Sequence, residues 1–400
     1  MTAGLLLAAA LVALTGAPAG TNELHPRWSP SGRYLSLERD DGTSRTIEIY
    51  AADGTRIAEV ALRPAGGAGY LLEEAAPAAT FNAWLAWAPD ERRFAFVSNG
   101  GRGAYDLYLG ELPAESAAGD CAGAAPSAPR CAGPGGGTAR VAAAAFRPLT
   151  RDAAADGQVA WSPTGDRLAF VSGRTDRGDL YLLDLATGRL TRLTAEGRSV
   201  LHPEWSPDGR RLAFALGQGD NHDICVIDDV DREPPVRRCV VVWAFDDLRP
   251  RWSPDGRRLA FYSSYNPDGE PAVWSLFTIA ADGSEPAKGE GLLARRLDTG
   301  VVVDLEVGPA WTPDGRALLY VKRVAREFNP LYFVEVATGV ARRLETGQAI
   351  HHDVSVARDG RLALRAQLGR WDRVLVGRLD ALLAGGDPRG TGAVAGGGEP

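Results

Sequence analysis

The stretch HPEWSPDGRRLAF, residues 202–214, joins a histidine, a tryptophan, a tight turn and an apolar segment. In its Ser-Pro-Asp-Gly turn, proline presets φ, aspartate accepts a local hydrogen bond and glycine takes a positive φ. Such a turn predicts a β-hairpin between a strand that ends at Trp205 and the strand RRLAFAL that follows it.

The same unit recurs along the chain. Its anchor positions are Trp28, Trp87, Trp161, Trp205, Trp252, Trp311 and Val356. The shortest separations, 44 and 45 residues, are close to the length of one four-stranded propeller blade. Third and fourth strands follow the hairpin, for example DLYLLDL from Asp179 and GRLTRLT from Gly188. The sequence therefore predicts an all-β fold, a β-propeller of seven blades, with six blades and an appended hairpin as the alternative.

The last unit differs from the others. It runs through RVLVGRL (373–379) and shows no fourth strand, and the residues 20–24 that precede the first repeat are too few to supply one. We therefore expect a three-stranded last blade in a propeller that spans residues 20–380. Residues 113–138 are expected to form an insertion loop, and residues 381–400 a disordered Gly-rich tail.

The N-terminus is typical of an export signal. A short apolar run, LLLAAALVAL (5–14), is followed by an Ala-Pro-Ala cleavage site, which predicts a signal peptide over residues 1–19. The run is short for a membrane span, so we expect a periplasmic or secreted monomer with no transmembrane segment after cleavage. The net charge of -7 argues against a nucleic-acid partner, which would need a basic stripe.

Four cysteines suit an oxidising compartment. Four cysteines allow three pairings, and the spacing favours Cys121–Cys131 and Cys225–Cys239. The second pair follows from the repeat, because Cys225 and Cys239 occupy the positions of Tyr181 and Leu193 in the preceding unit. These positions face each other in an antiparallel pair of strands, which predicts a cross-strand disulfide in the fourth blade.

These units resemble the PD40, or WD40-like, repeats of the TolB-like β-propeller family, over roughly residues 24–379. The chain shows neither the α/β domain that precedes the TolB propeller nor the G-x-S-x-G motif of prolyl-oligopeptidase-type hydrolase domains. The resemblance therefore implies a propeller without these companion domains. Its expected role is non-catalytic binding of a protein, a peptide or a component of the cell envelope.

Candidate site residues are found where the repeats differ at an equivalent position. Three residues before the anchor, the series is His25, Trp84, Gln158, His202, Arg249, Gly308 and Asp353. We expect these side chains to ring one mouth of the central channel, with His351 and His352 beside Asp353. The aspartates that recur in every third strand, such as Asp179, are interpreted as repeat structure instead.

Three interpretations of this ring remain open. It forms a generic polar mouth, or an anion or peptide site that Arg249 would suit, or a divalent-metal site with His25, His202 and His352 as candidate ligands. Oligogalacturonate lyase, a related propeller, is similar in placing a His-rich metal site in its channel. This resemblance implies the alternative function, a metal-dependent enzyme acting on an acidic polysaccharide.

The sequence favours the absence of a metal and of catalysis. No Ser/His/Asp order is supported by its spacing. His222 leads into a third strand, and Asp246 and Asp247 are interpreted as polar linker residues. No catalytic residue is assigned from the sequence.

Overall fold

A computed structural model describes most of the chain. The described residues are 11–14, 17–62, 81–100, 105–112, 146–175, 177–195, 197–266, 274–284, 294–303 and 307–385. The predicted insertion loop with Cys121 and Cys131, and residues 386–400 of the predicted tail, lie outside them.

The described residues form seven antiparallel sheets of four strands each. This arrangement confirms the seven-bladed all-β propeller. The first strands, in chain order, are β1 (Leu11–Ala13), β2 (Asn22–Trp28), β3 (Tyr34–Asp40), β4 (Arg45–Ala51), β5 (Arg56–Val60), β6 (Asn82–Trp87), β7 (Arg93–Ser98), β8 (Asp106–Glu111), β9 (Arg147–Pro148), β10 (Asp156–Trp161), β11 (Arg167–Ser172), β12 (Asp179–Asp184) and β13 (Leu190–Arg192). A 3₁₀ turn, Gly173–Thr175, lies between β11 and β12.

The remaining strands complete the propeller. They are β14 (Val200–Trp205), β15 (Leu212–Gln218), β16 (Asn221–Ile227), β17 (Arg237–Cys239), β18 (Asp247–Trp252), β19 (Arg258–Ser263), β20 (Trp274–Ala280), β21 (Arg295–Val301), β22 (Ala310–Trp311), β23 (Ala317–Val321), β24 (Leu331–Glu335), β25 (Ala341–Arg343), β26 (His351–Val356), β27 (Arg361–Leu368) and β28 (Trp371–Arg378). Blade 1 is β2–β5, blade 2 is β6–β9, blade 3 is β10–β13, blade 4 is β14–β17, blade 5 is β18–β21, blade 6 is β22–β25, and blade 7 is β26–β28 with β1.

The predicted three-stranded last blade was wrong. Strand β1 pairs antiparallel with β28 and supplies the fourth strand, with Leu11 opposite Gly377 and Val12 opposite Val376. This strand comes from the predicted signal peptide. It lies upstream of residues 20–24, which the sequence analysis considered as a source of the fourth strand. A short helix, Leu379–Gly385, follows β28 and extends into the segment predicted as a tail.

Apolar side chains fill the spaces between neighbouring blades. Seven buried clusters are formed by the described residues, and each joins two adjacent sheets. Between blades 3 and 4, for example, Leu180 and Leu182 pack with Trp205 and Phe214. Both faces of each sheet are covered, which explains why the second and third strands are almost continuously apolar.

The tryptophan anchors connect successive blades. Each indole Nε1–H donates a hydrogen bond of 2.9 to 3.3 Å to the carbonyl of the residue just before the anchor of the preceding blade. The donors are Trp87, Trp161, Trp205, Trp252 and Trp311. At the junction with blade 7, where Val356 replaces tryptophan, the main-chain N–H of Trp28 donates to Ser355 Oγ at 3.1 Å instead.

An arginine after the turn extends this contact. The guanidinium of Arg211 lies 4.5 Å from the ring centre of Trp252 and donates to the carbonyl of Gly256 at 2.9 Å. Arg93 makes the equivalent pair of contacts with Trp161 and Gly165. A cation over an indole face is attractive, so in these two cases one blade holds the turn of the next.

The predicted disulfide is present in blade 4. Cys225 and Cys239 are paired residues of β16 and β17, with Cα atoms 3.8 Å apart, and their sulfur atoms are bonded. Among the described residues, no helix is long and apolar enough to cross a membrane.

Strand β1 provides a stability test. Leu11 packs on the apolar cluster between blades 6 and 7, whereas Val12 is 62% exposed. In a full-length chain produced without export, Leu11→Ser should lower the free energy of unfolding by about 1–2 kcal/mol, because it removes a partly buried apolar side chain. Val12→Ser is the matched control and should change it by less than about 0.5 kcal/mol. Urea denaturation measures both values, and equal effects would contradict the assignment of β1 to blade 7.

Candidate functional site at the channel mouth

The predicted ring residues share one unusual backbone conformation. His25, Trp84, Gln158, His202 and Arg249 all have positive φ, between 46° and 59°. The pairing of each innermost strand with its neighbour shifts at this point, which is a β-bulge. Left-handed backbone is unfavourable for side chains other than glycine, so the bulge is held by its surroundings and redirects these side chains.

The ring side chains link neighbouring blades at the bulges. Gln158 Oε1 accepts a hydrogen bond from the main-chain N–H of His202 at 2.5 Å, and His202 Nδ1 accepts one from Arg249 at 3.4 Å. At blade 2 the acceptor is Glu38 Oε1, 2.7 Å from the N–H of Trp84. Three members of the predicted ring, in blades 3, 4 and 5, therefore form one chain of contacts.

A second group lies two residues further along the inner strands and was not assigned from the sequence. Arg27, Glu204 and Arg251 each directly precede an anchor tryptophan, where blades 2, 3 and 6 carry alanine. Arg251 Nη1 lies 3.2 Å from Glu204 Oε2. The departure from alanine at an equivalent repeat position was the available sequence signal.

Glycine at position 308 makes room for one of these arginines. A Cβ atom on Gly308 would lie 2.8 Å from Arg251 Cγ and 3.2 Å from the carbonyl oxygen of Arg249. The aliphatic part of the Arg251 side chain therefore lies against the backbone of blade 6. The absence of a side chain at Gly308 therefore leaves the space that the Arg251 side chain of the neighbouring blade occupies.

These charges interact in a partly desolvated space. Burial raises the pKa of Glu204, against the opposing effect of Arg251, Arg27 and Arg249. Burial and the charge of Arg251 lower the pKa of Arg27. The Glu204 side chain nevertheless keeps 27% exposure, so this carboxylate is reached by solvent.

The other carboxylates near the ring have basic neighbours of their own. Glu38 is 3.0 Å from His25 Nδ1 and 3.2 Å from Arg45 Nη1. Asp353 is 3.4 Å from Arg365 Nη1. Arg45 also contacts Asp40, and Arg365 also contacts Asp372. Glu38 and Asp353 therefore keep some negative charge that acts on Arg27 beside Glu204.

The two adjacent histidines face different surroundings. His351 is fully buried, its Nδ1 donates to the carbonyl of Asn329 at 2.9 Å, and its Nε2 lies 2.7 Å from Thr346 Oγ1. His352 is partly exposed, and its Nε2 is 3.3 Å from Asp372 Oδ1. His351 therefore joins blade 7 to blade 6.

The candidate metal ligands do not come together. His25, His202 and His352 each contact a different partner: a carboxylate, a main-chain amide and a second carboxylate. In the part of the chain that the structure describes, no three His, Cys, Asp or Glu side chains form a group that could hold a metal ion. The donor set therefore does not fit a zinc or manganese centre at this mouth.

Comparison with known proteins agrees with the repeat assignment. Residues 146–288 match the family model of the TolB beta propeller domain, which confirms the resemblance to PD40 repeats over that stretch. No curated protein sequence is significantly similar to the chain.

Solved structures agree with the fold. The structure of oligogalacturonate lyase in complex with manganese is 13% identical over 92% of both chains, with a TM-score of 0.59. A puromycin-hydrolyzing peptidase from Mycobacterium tuberculosis is 16% identical over 86% of this chain and 49% of its own, with a TM-score of 0.55. TolB from Acinetobacter baumannii is 16% identical, with a TM-score of 0.48, and the chain covers 65% of it. At 13% and 16% identity, the similarity to the lyase and to the peptidase shows the propeller fold alone.

The burial of His351 predicts an acid-dependent loss of stability. Burial lowers its pKa below the ordinary value of 6.5. As the pH falls through that ordinary value, the unfolded chain takes up a proton that the folded chain still excludes, so this contribution to stability is lost. His351→Asn removes the titrating group, and its urea midpoint should fall less between pH 7.5 and pH 5.5 than that of the unsubstituted chain. Parallel curves for the two proteins would contradict the prediction.

Proposed function

We propose that the chain is an exported TolB-like propeller that binds an acidic segment of a cell-envelope protein at the channel mouth, without catalysis at that mouth. The observation that carries this proposal is the contact between Arg251 and the Glu204 carboxylate, with Arg27 and Arg249 close enough to act on the same carboxylate. Periplasmic or extracellular location is part of the proposal. It is supported by the disulfide between Cys225 and Cys239, whereas the predicted cleavage after residue 19 would remove β1 from blade 7.

Arginine suits a carboxylate-bearing peptide. Its planar guanidinium donates two parallel hydrogen bonds to one carboxylate, and it is less strongly hydrated than the ammonium group of lysine. These bonds are stronger in a partly desolvated channel than at an open surface. The proposed ligand therefore places a carboxylate beside Arg251 and competes with Glu204 for it.

The rim offers a contact for the rest of a peptide. Trp84 is half-buried in the ring, its indole lies 3.6 Å from the position that a Cβ of Gly157 would occupy, and it packs edge-to-face with Phe81. Aromatic side chains at a rim provide a large contact area at a low cost in conformational entropy.

The alternative of a metal-dependent enzyme has less support. A structural neighbour is an oligogalacturonate lyase in complex with manganese, and an acidic sugar polymer also carries carboxylates. However, His25, His202 and His352 do not form a ligand set, so no metal-dependent step is assigned to these residues. Binding of an acidic polysaccharide is retained as an outcome of the test below.

Opposite substitutions at one ion pair test the proposal. Fluorescence anisotropy would measure the binding of a library of acidic decapeptides with free carboxyl termini and of labelled oligogalacturonate. Arg251→Gln should weaken peptide binding about tenfold, since it removes a charged hydrogen-bond donor. Glu204→Gln should tighten binding, because the competing carboxylate is removed. The control is Arg189→Gln, an exposed arginine beside the outer strand β13 that contacts Glu233.

The two channel variants separate the possible outcomes. Changes of opposite sign, together with weaker binding as salt rises from 50 to 300 mM, would support a peptide site at the arginine group. Binding that responds to neither substitution would overturn it. Tighter binding of oligogalacturonate than of any peptide, lost in Arg251→Gln, would replace the peptide by an acidic polysaccharide.

A further inference from the structure

Ser199, His222 and Asp246 form a hydrogen-bonded chain between blades 4 and 5. Ser199 Oγ lies 3.0 Å from His222 Nε2, and His222 Nδ1 lies 2.7 Å from Asp246 Oδ1. In a catalytic triad, the histidine is hydrogen-bonded to a serine through Nε2 and to an aspartate through Nδ1, and it acts as the general base for the serine nucleophile. The spacing of these residues in the sequence did not indicate this arrangement.

Three separate elements supply these residues. Ser199 directly precedes β14, His222 lies in β16, and Asp246 directly precedes β18 of the next blade. Gly217 of β15, which pairs with His222, provides the space, because a Cβ atom there would lie 2.5 Å from Ser199 Oγ. Its main-chain N–H donates to the carbonyl of Ser199 at 2.8 Å, which fixes the backbone that carries the serine.

The aspartate is also held in place. Asp246 Oδ1 accepts a second hydrogen bond, from the main-chain N–H of His222 at 3.0 Å, and the N–H of Asp246 donates to Ser264 Oγ at 2.7 Å. Asn221 Nδ2 donates to the carbonyls of Trp243 and Phe245 at 2.8 and 2.9 Å. The base and the group that orients it are thus positioned by neighbours, as a triad requires.

The propeller repeat does not require this arrangement. The residues equivalent to Ser199, six before the anchor, are Phe81 in blade 2 and Ala155 in blade 3. Those equivalent to His222, just before the third-strand aspartate, are Tyr105 and Gly178. The hydrogen-bonded chain is therefore a local feature of blades 4 and 5.

The site is accessible and has features of a substrate surface. Ser199 is half-buried, and the side chains of His222 and Asp246 keep 21% and 33% exposure. Arg198, next to the serine, is exposed, and its guanidinium donates to Gln218 Oε1. Trp243 and Phe245, with ring centres 5.7 Å apart, lie on the segment that leads to Asp246 and remain partly exposed.

We propose that Ser199 is the nucleophile of an ester-hydrolysing site whose substrates are acyl esters with a small aromatic group. Ser199 Oγ attacks the acyl carbon while its proton passes to His222 Nε2. The ester bond breaks, and the alcohol leaves with that proton. Water then attacks the acyl-serine and gives up a proton through His222, which releases the acid and restores the hydroxyl. This site is separate from the channel mouth and does not depend on the proposed binding function.

A serine-directed probe on the full chain tests the proposal. A fluorophosphonate should label Ser199, identified by peptide mass spectrometry, and 4-nitrophenyl acetate should be hydrolysed with saturation. Ser199→Ala should abolish both. Asp246→Asn, which retains the shape of the side chain, should lower kcat by about 10²–10⁴-fold with little change in KM, because it disturbs the orientation of His222.

Matched variants exclude simpler explanations. Ser44→Ala removes a half-buried serine whose hydroxyl contacts the Asp41 carboxylate instead of a histidine, and should leave labelling and hydrolysis unchanged. Circular dichroism melting checks that each variant is folded. Absence of labelling at Ser199 in the folded chain would overturn the proposal. Labelling that persists unchanged in His222→Gln and Asp246→Asn would do so as well.

Discussion

The hydrogen bond from each anchor indole to the carbonyl of the preceding blade is the contact on which the rest of the structure depends. The donor is a tryptophan that ends the innermost strand, and the acceptor belongs to the residue before the preceding anchor, so one contact sets the spacing between two blades. An arginine from the preceding blade covers the indole face and binds the next turn, as Arg211 does at Trp252 and Gly256. Burial of apolar side chains supplies the main attraction between the sheets, but it has no preferred direction. The hydrogen bonds and cation–π contacts are directional and therefore align the sheets.

The same constraint produces the functional surfaces. In the first five blades a bulge lies just before the anchor, and the positive-φ residues His202 and Arg249 lie in that bulge. One residue before the anchor, the backbone carbonyl accepts the hydrogen bond from the indole of the next blade. The side chain of that residue takes no part in this bond and differs among blades. The variation between Ala160, Glu204 and Arg251 is where charge enters the channel. Because the repeated contact uses only the backbone carbonyl, the side chain at this position can change from one blade to the next without loss of the contact.

Much of the fold could be predicted because the residues that specify it lie close together in the sequence, within one repeat. The Ser-Pro-Asp-Gly turn, the period of the anchors and the facing positions of Cys225 and Cys239 all follow from spacing within one unit. Five of the predicted ring residues share a positive φ, as equivalent positions of a repeat would. The bonding of His351 to Asn329 could not be predicted, because its partner belongs to another blade and lies 22 residues away. The fourth strand of blade 7 was missed for a related reason, since Leu11 reaches β28 only when the ring closes.

The sequence by itself determined the repeated unit: hairpins of fixed turn chemistry, their spacing and the positions at which they differ. Only the tertiary structure decided which differing side chains meet. Arg251 contacts Glu204 across 47 residues, and His222 joins Ser199 with Asp246 across a blade boundary. Turn preference and strand alternation act over a few residues and are visible in a single chain segment. Contacts between blades depend on how the sheets pack around the channel, and no local spacing encodes that packing.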